Sequence, residues 1–591
     1  FLNTRIKAKE KVSYGALMFA VFGSMYLSTV DIAWHGFQVP NWLPYRYSFT
    51  FSFLMLIIAF RAFENLEGVS FKEIGLTAFG WIAVLAILNQ QEHPEFYLAE
   101  TVWFSVLCVV AFAFVIFLFK KYNNTAMKIV TAVLICLEIF ENSMYTVWAI
   151  DCDVVYSKYS SYQDYFIDGR RVVDELEERD GSLYRMEKTF HRTVNDPMGM
   201  GFKGISHSSS TMNTPVLKML KSLGFGMQGH YTKYTGATLL TDSLFGIKYL
   251  MHKPDEITPS LDEKEITRQN YQNMLKLPYE GYPQIMSEED TGCEISVYEN
   301  PYALPIAYMA DKDILETKLE SKDPIANQEL LMQDILGDRS IKFFRRLYSY
   351  YTDTVNCTTA TTGDHIMYTT VPDKDSYVEF SLNFTEESKA SEPLYAFFPT
   401  LYQRQCNMWL KADSWDITNY AFVDYFFTGE HYSILDLGTF DPAEKLHLRM
   451  TLANGEAIFS DVLFYQLDTE KLAEAVETIR KGGWNITEHS DTHLKGTVTA
   501  EKDGVLFTTI PYEPGWTITV DGKKVTPVKL IDSLIGIELE AGEHTVEMRF
   551  FPSYLTLAIF VSLFGLSLLA IVFVIEFKNG AIFKKIIGKD K

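Results

Sequence analysis

The chain has 591 residues, of which 48% are hydrophobic and 15% aromatic, and its formal net charge is −22. This length exceeds one ordinary domain, and the acidic balance argues against nucleic-acid binding, which requires Lys and Arg to replace phosphate counterions. The apolar residues concentrate in 12–150 and 553–576, whereas 151–550 has the composition of a water-exposed protein. The sequence therefore predicts a membrane protein with a large aqueous region.

Six apolar runs are long enough for transmembrane helices, which need roughly 20 such residues. Five lie in the first quarter of the chain and one lies near its C-terminal end, at 12–30, 47–63, 74–89, 101–119, 129–150 and 554–576. We therefore predict a polytopic α-helical membrane protein. Because the chain begins at Phe1 and has no cleavable signal pattern, we expect it to be the later part of a longer protein.

The positions of Lys and Arg predict the orientation of these spans. Basic clusters occur at 5–11, 120–128 and 578–591. Such clusters concentrate on the cytoplasmic side of membranes. Six spans place all three clusters there and leave residues 151–552 outside the cell. The predicted location is thus the cell membrane, crossed several times.

The connection between the first two predicted spans, 31–49, is the main candidate binding site. Arg46 can hold a phosphate through two parallel hydrogen bonds, while the aromatic rings can stack on a sugar or line a groove for a lipid chain. An aromatic belt at the membrane surface is the alternative, but Asp31 adds a carboxylate beside the rings. We predict that substrate contacts come from Trp34, His35, Trp42, Tyr45, Arg46 and Tyr47.

Two further acidic clusters occur among the membrane segments. Glu138 and Glu141 share one helix face with Asn142, and a carboxylate in the membrane core is costly unless it is paired or hydrated. We include both in the predicted substrate site, with an interhelical hydrogen bond as the alternative. Glu92 lies with a histidine and a second glutamate in the predicted loop 89–100, where a solvated loop is favoured over acid–base or metal chemistry.

The aqueous region is predicted to have three parts between the membrane domain 1–150 and the final span and basic tail, 553–591. Residues 151–319 mix helix and strand, including a helix at 170–179. Residues 320–482 contain short strands typical of a β-sandwich, followed by a helix capped by Asp468 or Thr469. Residues 483–552 form a small membrane-proximal β domain, in which Asp521-Gly522 predicts a tight hairpin turn.

Several other patterns are uninformative. The run Gly199-Met-Gly-Phe-Lys-Gly204 matches a nucleotide-binding pattern but lacks the preceding strand, so we reject that function. The six cysteines include no metal-binding spacing, and pairing of Cys357 with Cys406 stays open. We predict no cofactor and no resident metal from these patterns. Whether the protein's activity depends on a metal is left open.

Residues 34–49 resemble the signature of the YfhO family of bacterial membrane proteins. The segments Trp34-His-Gly-Phe, Pro40-Asn-Trp and Pro44-Tyr-Arg-Tyr-Ser-Phe49 carry the resemblance. It extends over essentially the whole chain, as the C-terminal two-thirds of a longer member. Similar segments follow at Tyr184-Arg185, Asn195-Asp196, the serine run ending at Asn213, Asp242-Ser-Leu-Phe-Gly-Ile-Lys-Tyr249, Tyr512-Glu-Pro-Gly-Trp516 and Asp521-Gly522.

The resemblance implies a glycosyltransferase of the GT-C type. Such an enzyme takes a sugar from a polyprenyl-phosphate carrier within the membrane lipid and transfers it, on the outer face, to a cell-envelope polymer such as the lipoteichoic acid of Gram-positive bacteria. The catalytic carboxylate of GT-C enzymes usually lies in a loop that we expect to precede this chain. No catalytic residue is therefore carried over. Within this sequence, Asp31 and Glu92 are candidates for a general base.

Two other functions are kept as alternatives. One is a non-catalytic scaffold that binds envelope polymer, although five clustered spans exceed what an anchor needs. The other is a transporter of lipid-linked sugar, for which intramembrane carboxylates would be suitable but a large outer region would not. The identities of the sugar and acceptor, and the oligomeric state, stay open.

Overall fold

A computed structural model describes most of the chain. The described residues are 2–37, 39, 45–89, 99–122, 125–153, 158–228, 230–253, 281–362, 365–371, 374–398, 404–413, 421–428, 434–452, 456–459 and 462–579. The chain divides into two compact units, Phe1–Ser157 and Lys158–Lys591.

The first unit is helical in its described residues. α1 packs against α2 and α3, while α5 packs against both α4 and α6. Each of the five apolar runs predicted here contains a helix. The helices are α1 (Ala8–Tyr26), α2 (Ser28–Trp34), α3 (Ser48–Glu64), α4 (Phe71–Leu88), α5 (Ala99–Lys121) and α6 (Thr125–Asp153), with a 3-10 turn at Leu66–Gly68.

Four described helical segments are long and apolar enough to cross a membrane. They are Phe71–Leu88, Val102–Lys121, Ala132–Asp151 and Leu555–Phe577. α1 and α2 meet at 102° and would add a fifth crossing if they act as one broken span. α3 has 17 residues, which is the lower limit for a span. The prediction of six spans is therefore not confirmed.

The predicted span 12–30 is interrupted, because its first helix ends at Tyr26. Leu27 adopts an extended conformation, with φ −96° and ψ 100°, and α2 begins at the next residue. Gly23, Ser24 and Ser28 flank this break, and Gly and Ser form helices less readily than the Ala, Leu and Met residues before them. The break turns the first polar residues of the predicted binding loop into a short separate helix.

The second unit begins with a mixed helix and strand region. Its main sheet has the order β1-β5-β7-β6, with β1 parallel to β5, and a second sheet has the order β2-β4-β3. The helix predicted at 170–179 begins earlier, and its apolar side is buried as expected. The elements are α7 (Tyr159–Arg179), β1 (Arg185–Lys188), α8 (Asp196–Met200), β2 (His207–Ser208), α9 (Thr214–Ser222), β3 (Gly226–Gln228), β4 (Tyr231–Lys233), α10 (Leu239–Leu244), β5 (Ile247–His252), β6 (Gln284–Met286), α11 (Glu288–Thr291) and β7 (Ser296–Glu299).

After β8 (Ala307–Ala310), a 3-10 turn (Lys312–Glu316) and α12 (Pro324–Leu336), the chain enters a β-rich region. Its strands are β9 (Phe344–Leu347), β10 (Ser349–Val355), β11 (Cys357–Thr362), β12 (His365–Thr370), β13 (Tyr377–Asn383), β14 (Leu394–Phe397), β15 (Arg404–Ala412), β16 (Ala421–Thr428), β17 (Leu435–Gly438), β18 (Lys445–Leu452), β19 (Glu456–Phe459) and β20 (Leu463–Leu467), before helix α13 (Thr469–Arg480).

The large β-rich region predicted here is confirmed, and it contains two sheets that share a core. One sheet has the order β10-β13-β18-β15-β16, and the other has the order β17-β14-β20-β9. Phe380 and Leu448 of the first sheet share a buried core with Leu394 and Phe464 of the second. The strands β11, β12 and β19 form a further small sheet. Cys357 carries a free thiol, whereas the side chain of Cys406 lies outside the part of the chain that the structure describes, so the question of their pairing stays open.

The last β region pairs strands into two sheets, β21-β22-β28-β24-β25 and β26-β27-β23-β8. The predicted hairpin is confirmed, because Asp521 and Gly522 both have positive φ, 50° and 77°, between β24 and β25. The elements are β21 (Asn485–Ser490), β22 (His493–Ala500), β23 (Gly504–Pro511), β24 (Trp516–Val520), β25 (Lys523–Val525), β26 (Val528–Leu530), β27 (Leu534–Leu539), β28 (Gly542–Phe550) and α14 (Leu555–Asn579).

One hydrophobic core runs through the second unit. It includes Leu240 of α10, Met332 of α12, Leu472 of α13 and Phe507 of β23. The strand β8 also joins β23 across a long stretch of sequence. Residues from all three regions predicted after residue 150 therefore pack in one common core.

Candidate functional site

The helix break at Leu27 brings two predicted site residues together. Asp31 and His35 are one turn apart at the end of α2, where side chains four positions apart face the same side. The atoms Asp31 Oδ1 and His35 Nε2 lie 3.5 Å apart, and the side chains are only 13% and 11% exposed. Both groups are therefore largely withdrawn from solvent.

Tyr47 completes this group from the start of α3. Its ring is stacked on Trp34, with centroids 4.7 Å apart and planes at 12°. The His35 ring lies 5.9 Å from the Tyr47 ring, at 60°. Tyr47 is itself buried. The residues Asp31, Trp34, His35 and Tyr47 thus form one cluster, which we call the α2–α3 corner.

Three polar atoms of the α2–α3 corner are buried without a hydrogen bond. They are Asp31 Oδ1, His35 Nε2 and the Tyr47 hydroxyl. The hydroxyl lies near the side chains of Ser24 and Asp31. A buried polar group without a hydrogen bond costs about 1–3 kcal/mol, and the approach of Asp31 to His35 at 3.5 Å offsets only part of this cost. Three of them in one cluster are the strongest structural indication of a functional site in the first unit.

The predicted residues Tyr45 and Arg46 precede this corner in the turn before α3, and both are exposed. Tyr45 and Phe37 have positive φ values, 61° and 62°. Non-glycine residues in this region cost about 1–3 kcal/mol each and are concentrated at functional sites. Trp42, the remaining predicted residue of the loop, lies outside the described residues.

The other predicted acidic residues are not part of this cluster. Glu138 and Glu141 lie on α6, which packs mainly against α5. Glu138 is exposed and accepts a hydrogen bond of 2.9 Å from Asn142 Nδ2. Within the described chain neither glutamate forms an ion pair, so their contact with substrate stays a prediction. Glu92 and its neighbours in 90–98 lie outside the described residues.

The second unit contains a buried charged pair that the sequence patterns did not identify. Lys188 Nζ lies 2.6 Å from Asp196 Oδ2, and both side chains are fully buried. Asp196 also accepts hydrogen bonds from the Tyr165 hydroxyl at 2.6 Å and from the backbone N–H groups of Arg192 and Thr193. These bonds hold the pKa of Asp196 at about 2 against the effect of burial. The only sequence signal was the Asn195-Asp196 segment of the family resemblance.

Asp242, from another segment of that resemblance, is also buried. Its Oδ2 accepts hydrogen bonds from the hydroxyls of Tyr234 at 2.8 Å and Tyr282 at 3.0 Å. Burial raises the pKa of Asp242 to about 7, and it does the same for Glu187. Its Oδ1 is buried without a hydrogen bond. Because Oδ2 accepts from two tyrosines of the packed interior, we assign this group to the framework of the second unit.

The chain was compared with known proteins. A family model described as bacterial membrane protein YfhO matches residues 1–562. An uncharacterized protein YfhO of Bacillus subtilis strain 168 is 22% identical over 605 residues, which cover 96% of this chain and 63% of the relative. The chain therefore spans less than two thirds of that relative's length.

Similarity to solved structures is much weaker. A family 29 carbohydrate-binding module of Piromyces equi has 13% identity and a TM-score of 0.16, covering 21% of this chain and 90% of the module. A calcium-binding mutant of β-glucuronidase 2 from Bacteroides uniformis has 12% identity and a TM-score of 0.14. The match covers 35% of this chain and 28% of that protein. Scores this low assign no fold. The family match, which covers nearly the whole sequence, establishes that the chain belongs to the YfhO family of bacterial membrane proteins.

Proposed function

We propose that this chain is part of a membrane glycosyltransferase that moves a sugar from a polyprenyl-phosphate carrier to a cell-envelope polymer, such as lipoteichoic acid. The observation that carries the proposal is the α2–α3 corner, where buried polar atoms of Asp31, His35 and Tyr47 lack hydrogen bonds. Catalytic and binding groups commonly retain unused hydrogen-bonding capacity of this kind. The family membership supports the proposal without naming a substrate.

The residues have separate roles in this proposal. Asp31 acts as the general base that removes the proton from an acceptor hydroxyl. The freed oxygen attacks the anomeric carbon, the bond from that carbon to the carrier phosphate breaks, and its electron pair leaves with the phosphate. Arg46 stabilises the negative charge that develops on the departing phosphate. His35 and Tyr47 orient the reacting groups.

Exposed aromatic side chains next to this corner suit the lipid part of such a donor. Trp34, Phe37 and Tyr45 are 48%, 82% and 42% exposed. Aromatic side chains favour the boundary between lipid and water, so a prenyl chain can lie along them while its phosphate contacts Arg46. In the same proposal, six spans with both basic ends inside place residues 151–552 outside the cell.

The test is transfer of a radiolabelled sugar to envelope polymer in membranes of a strain that lacks the native gene. The full-length protein should restore transfer. Arg46→Ala should reduce the rate by at least about 10²-fold, as does loss of a donor to a developing anion. Asp31→Asn should reduce it by about 10²–10⁴-fold. Both variants should still insert and fold.

Arg5→Ala is the matched control, because Arg5 is also an exposed arginine of the first unit and pairs with Glu67 at 2.6 Å. It should transfer normally. Normal transfer by correctly inserted Arg46→Ala protein would remove Arg46 from the proposal. A loss of sugar transfer with normal movement of the carrier across the membrane distinguishes an enzyme from a transporter.

A further inference from the structure

A cavity of about 230 Å³ lies in the second unit, where the end of α7 meets β1 and β21. Residues from distant parts of the sequence line it. They include Glu177 of α7, Lys203 of the loop before β2, and His489 of β21. His489 Nε2 lies 3.2 Å from the Gly181 carbonyl oxygen and joins two walls of the cavity. Ligand sites occur preferentially at such junctions, and the volume is below the roughly 300–1,000 Å³ of drug-sized sites. One small ring fits this space.

The inner surface of the cavity is apolar and aromatic. Val173, Met186 and Phe202 line it and are themselves nearly fully buried in the core. Tyr184 adds a ring that is held edge-on against Tyr249, with centroids 4.9 Å apart. These side chains are fixed by packing, so a rigid surface is available to the flat face of a ligand.

The rim carries charged groups of both signs. Glu177 and Lys203 are exposed, and neither side chain forms a hydrogen bond or ion pair within the part of the chain that the structure describes. Nearby charges on the same helix are paired, since Arg179 Nη2 lies 2.5 Å from Glu175 Oε1. Asp180 is also paired, because its Oδ2 lies 2.6 Å from Lys248 Nζ. The cavity therefore retains one strong acceptor and one strong donor at its edge.

We infer that this cavity binds one sugar ring of a neutral saccharide, with the ring on Phe202 and Tyr184 and its hydroxyls bonded to Glu177 and Lys203. A sugar has an apolar C–H face, and its hydroxyls both donate and accept, which matches the inner surface and the rim. An anion fits less well, because Glu177 and Asp180 place two negative charges here. Their field also contributes to raising the pKa of Tyr184, which burial raises most.

This site lies in a different unit from the α2–α3 corner. Assigning the bound sugar to the acceptor polymer rests on the proposed function, whereas the binding itself does not. The two ideas can therefore fail separately, and the experiment is designed to distinguish them.

The test is saturation-transfer NMR on the full chain in detergent micelles. The probes are the methyl glycosides of glucose, galactose and their 2-acetamido derivatives, with glycerol 3-phosphate as an anionic probe. At least one glycoside should bind, and glycerol 3-phosphate should not displace it. The double variant Glu177→Gln, Lys203→Met should weaken binding by about tenfold or more, which corresponds to losing hydrogen bonds to charged groups.

The matched control is Glu178→Gln with Lys218→Met. Glu178 is the next residue of α7 and Lys218 lies on α9; both are exposed and neither lines the cavity. Glycoside binding by this control should be unchanged. The assignment is overturned if no glycoside binds, if the double variant binds as tightly as the control, or if glycerol 3-phosphate competes. Arg46→Ala protein should bind the glycoside normally, and this result would stand even if neither the wild-type protein nor any variant transfers sugar.

Discussion

Buried polar groups are arranged in opposite ways at two places in the molecule, the Lys188–Asp196 pair and the α2–α3 corner. The Lys188–Asp196 pair of the second unit is completely withdrawn from water, yet Asp196 contacts an ammonium, a hydroxyl and backbone N–H groups. In the α2–α3 corner of the first unit, Asp31, His35 and Tyr47 are packed together with three polar atoms unbonded. Each arrangement has a different physical meaning.

A buried charge whose hydrogen bonds are complete holds a structure together, because removing one partner leaves the other isolated in a medium of low polarity. Buried polar atoms without partners only lower stability. Such atoms are retained where binding or catalysis requires them. The contrast predicts that substitutions in the second unit change stability, whereas those in the α2–α3 corner change activity, and four variants test this from the largest expected effect on stability to the smallest.

Lys188→Met should have the largest effect. The variant leaves Asp196 buried without its ammonium partner, which typically costs about 3–5 kcal/mol. Hydrogen–deuterium exchange should show β1 and β5 losing protection by that amount. The control is Lys203→Met, an exposed lysine close in sequence, which should leave exchange unchanged. Equal protection in Lys188→Met and wild type would mean that the pair is not structural.

Asp242→Asn should change the pH dependence of stability. Burial raises the pKa of Asp242 from 3.8 to about 7, so the folded protein keeps a proton that the unfolded chain releases. The stability this group contributes is complete below pH 3.8 and is lost as the pH rises through 7. The amide cannot ionise and still accepts from both tyrosines. The variant should therefore be more stable than wild type at pH 8.

Thermal unfolding between pH 4 and pH 8 checks this second prediction, with the difference between the two proteins closing as the pH falls to 4. Glu187 and Asp436 are buried carboxyls with pKa values also raised to about 7, while burial lowers the pKa of His191 to about 3. These groups titrate in both proteins, so the difference isolates Asp242. A difference that is independent of pH would contradict the prediction.

Asp468→Ala should have an intermediate effect on stability. It measures how much one helix-capping hydrogen bond contributes. The Asp468 side chain accepts from the Lys471 backbone N–H and begins α13. Loss of such a cap typically costs about 1 kcal/mol, which exchange in α13 should report. Glu474→Ala on the exposed side of the same helix is the control. A cost similar to that of Lys188→Met would remove the distinction between a cap and a buried pair.

Tyr47→Phe should have the smallest effect on stability. The ring stack on Trp34 is kept, and the hydroxyl that is lost makes no hydrogen bond. The thermal midpoint in lipid nanodiscs should therefore stay the same or rise slightly, while sugar transfer falls. Trp34→Leu is the contrasting variant, because it removes the stack. A drop of more than about 1 kcal/mol in Tyr47→Phe would show that the hydroxyl is bonded after all.

Local patterns in the sequence predicted several elements correctly. The apolar runs became helices, short strands such as β12 and β13 formed within 320–482, and Asp468 caps α13. The Asp521-Gly522 turn also formed as expected. Each of these depends on residues within a few positions of one another, through backbone conformation, capping or periodic burial. Such information is present in any short stretch of the chain.

The candidate site was predicted only in part. Residues 31–49 were identified from their composition, but the break at Leu27 and the stacking of Tyr47 on Trp34 were not. Without that break, residues 28–34 would continue the first helix in a straight line. Gly23, Ser24 and Ser28 are local signals for the break, but the packing of α1 against α2 and α3 is recorded by no local pattern. The unbonded state of the three polar atoms follows from the same packing.

The sequence by itself determined that this is a membrane protein with an acidic, β-rich aqueous region and an aromatic loop beside its first helices. Only the tertiary structure decided which buried charges are satisfied. Arg185 bonds to Thr509 over 324 positions, and Asp242 accepts from Tyr282 over 40. The sheets likewise place β15 beside β18 in the sandwich and β8 beside β23 in the last β region. Such contacts depend on how remote segments pack, because the energy of a buried polar group is set by whatever surrounds it and not by its neighbours in sequence.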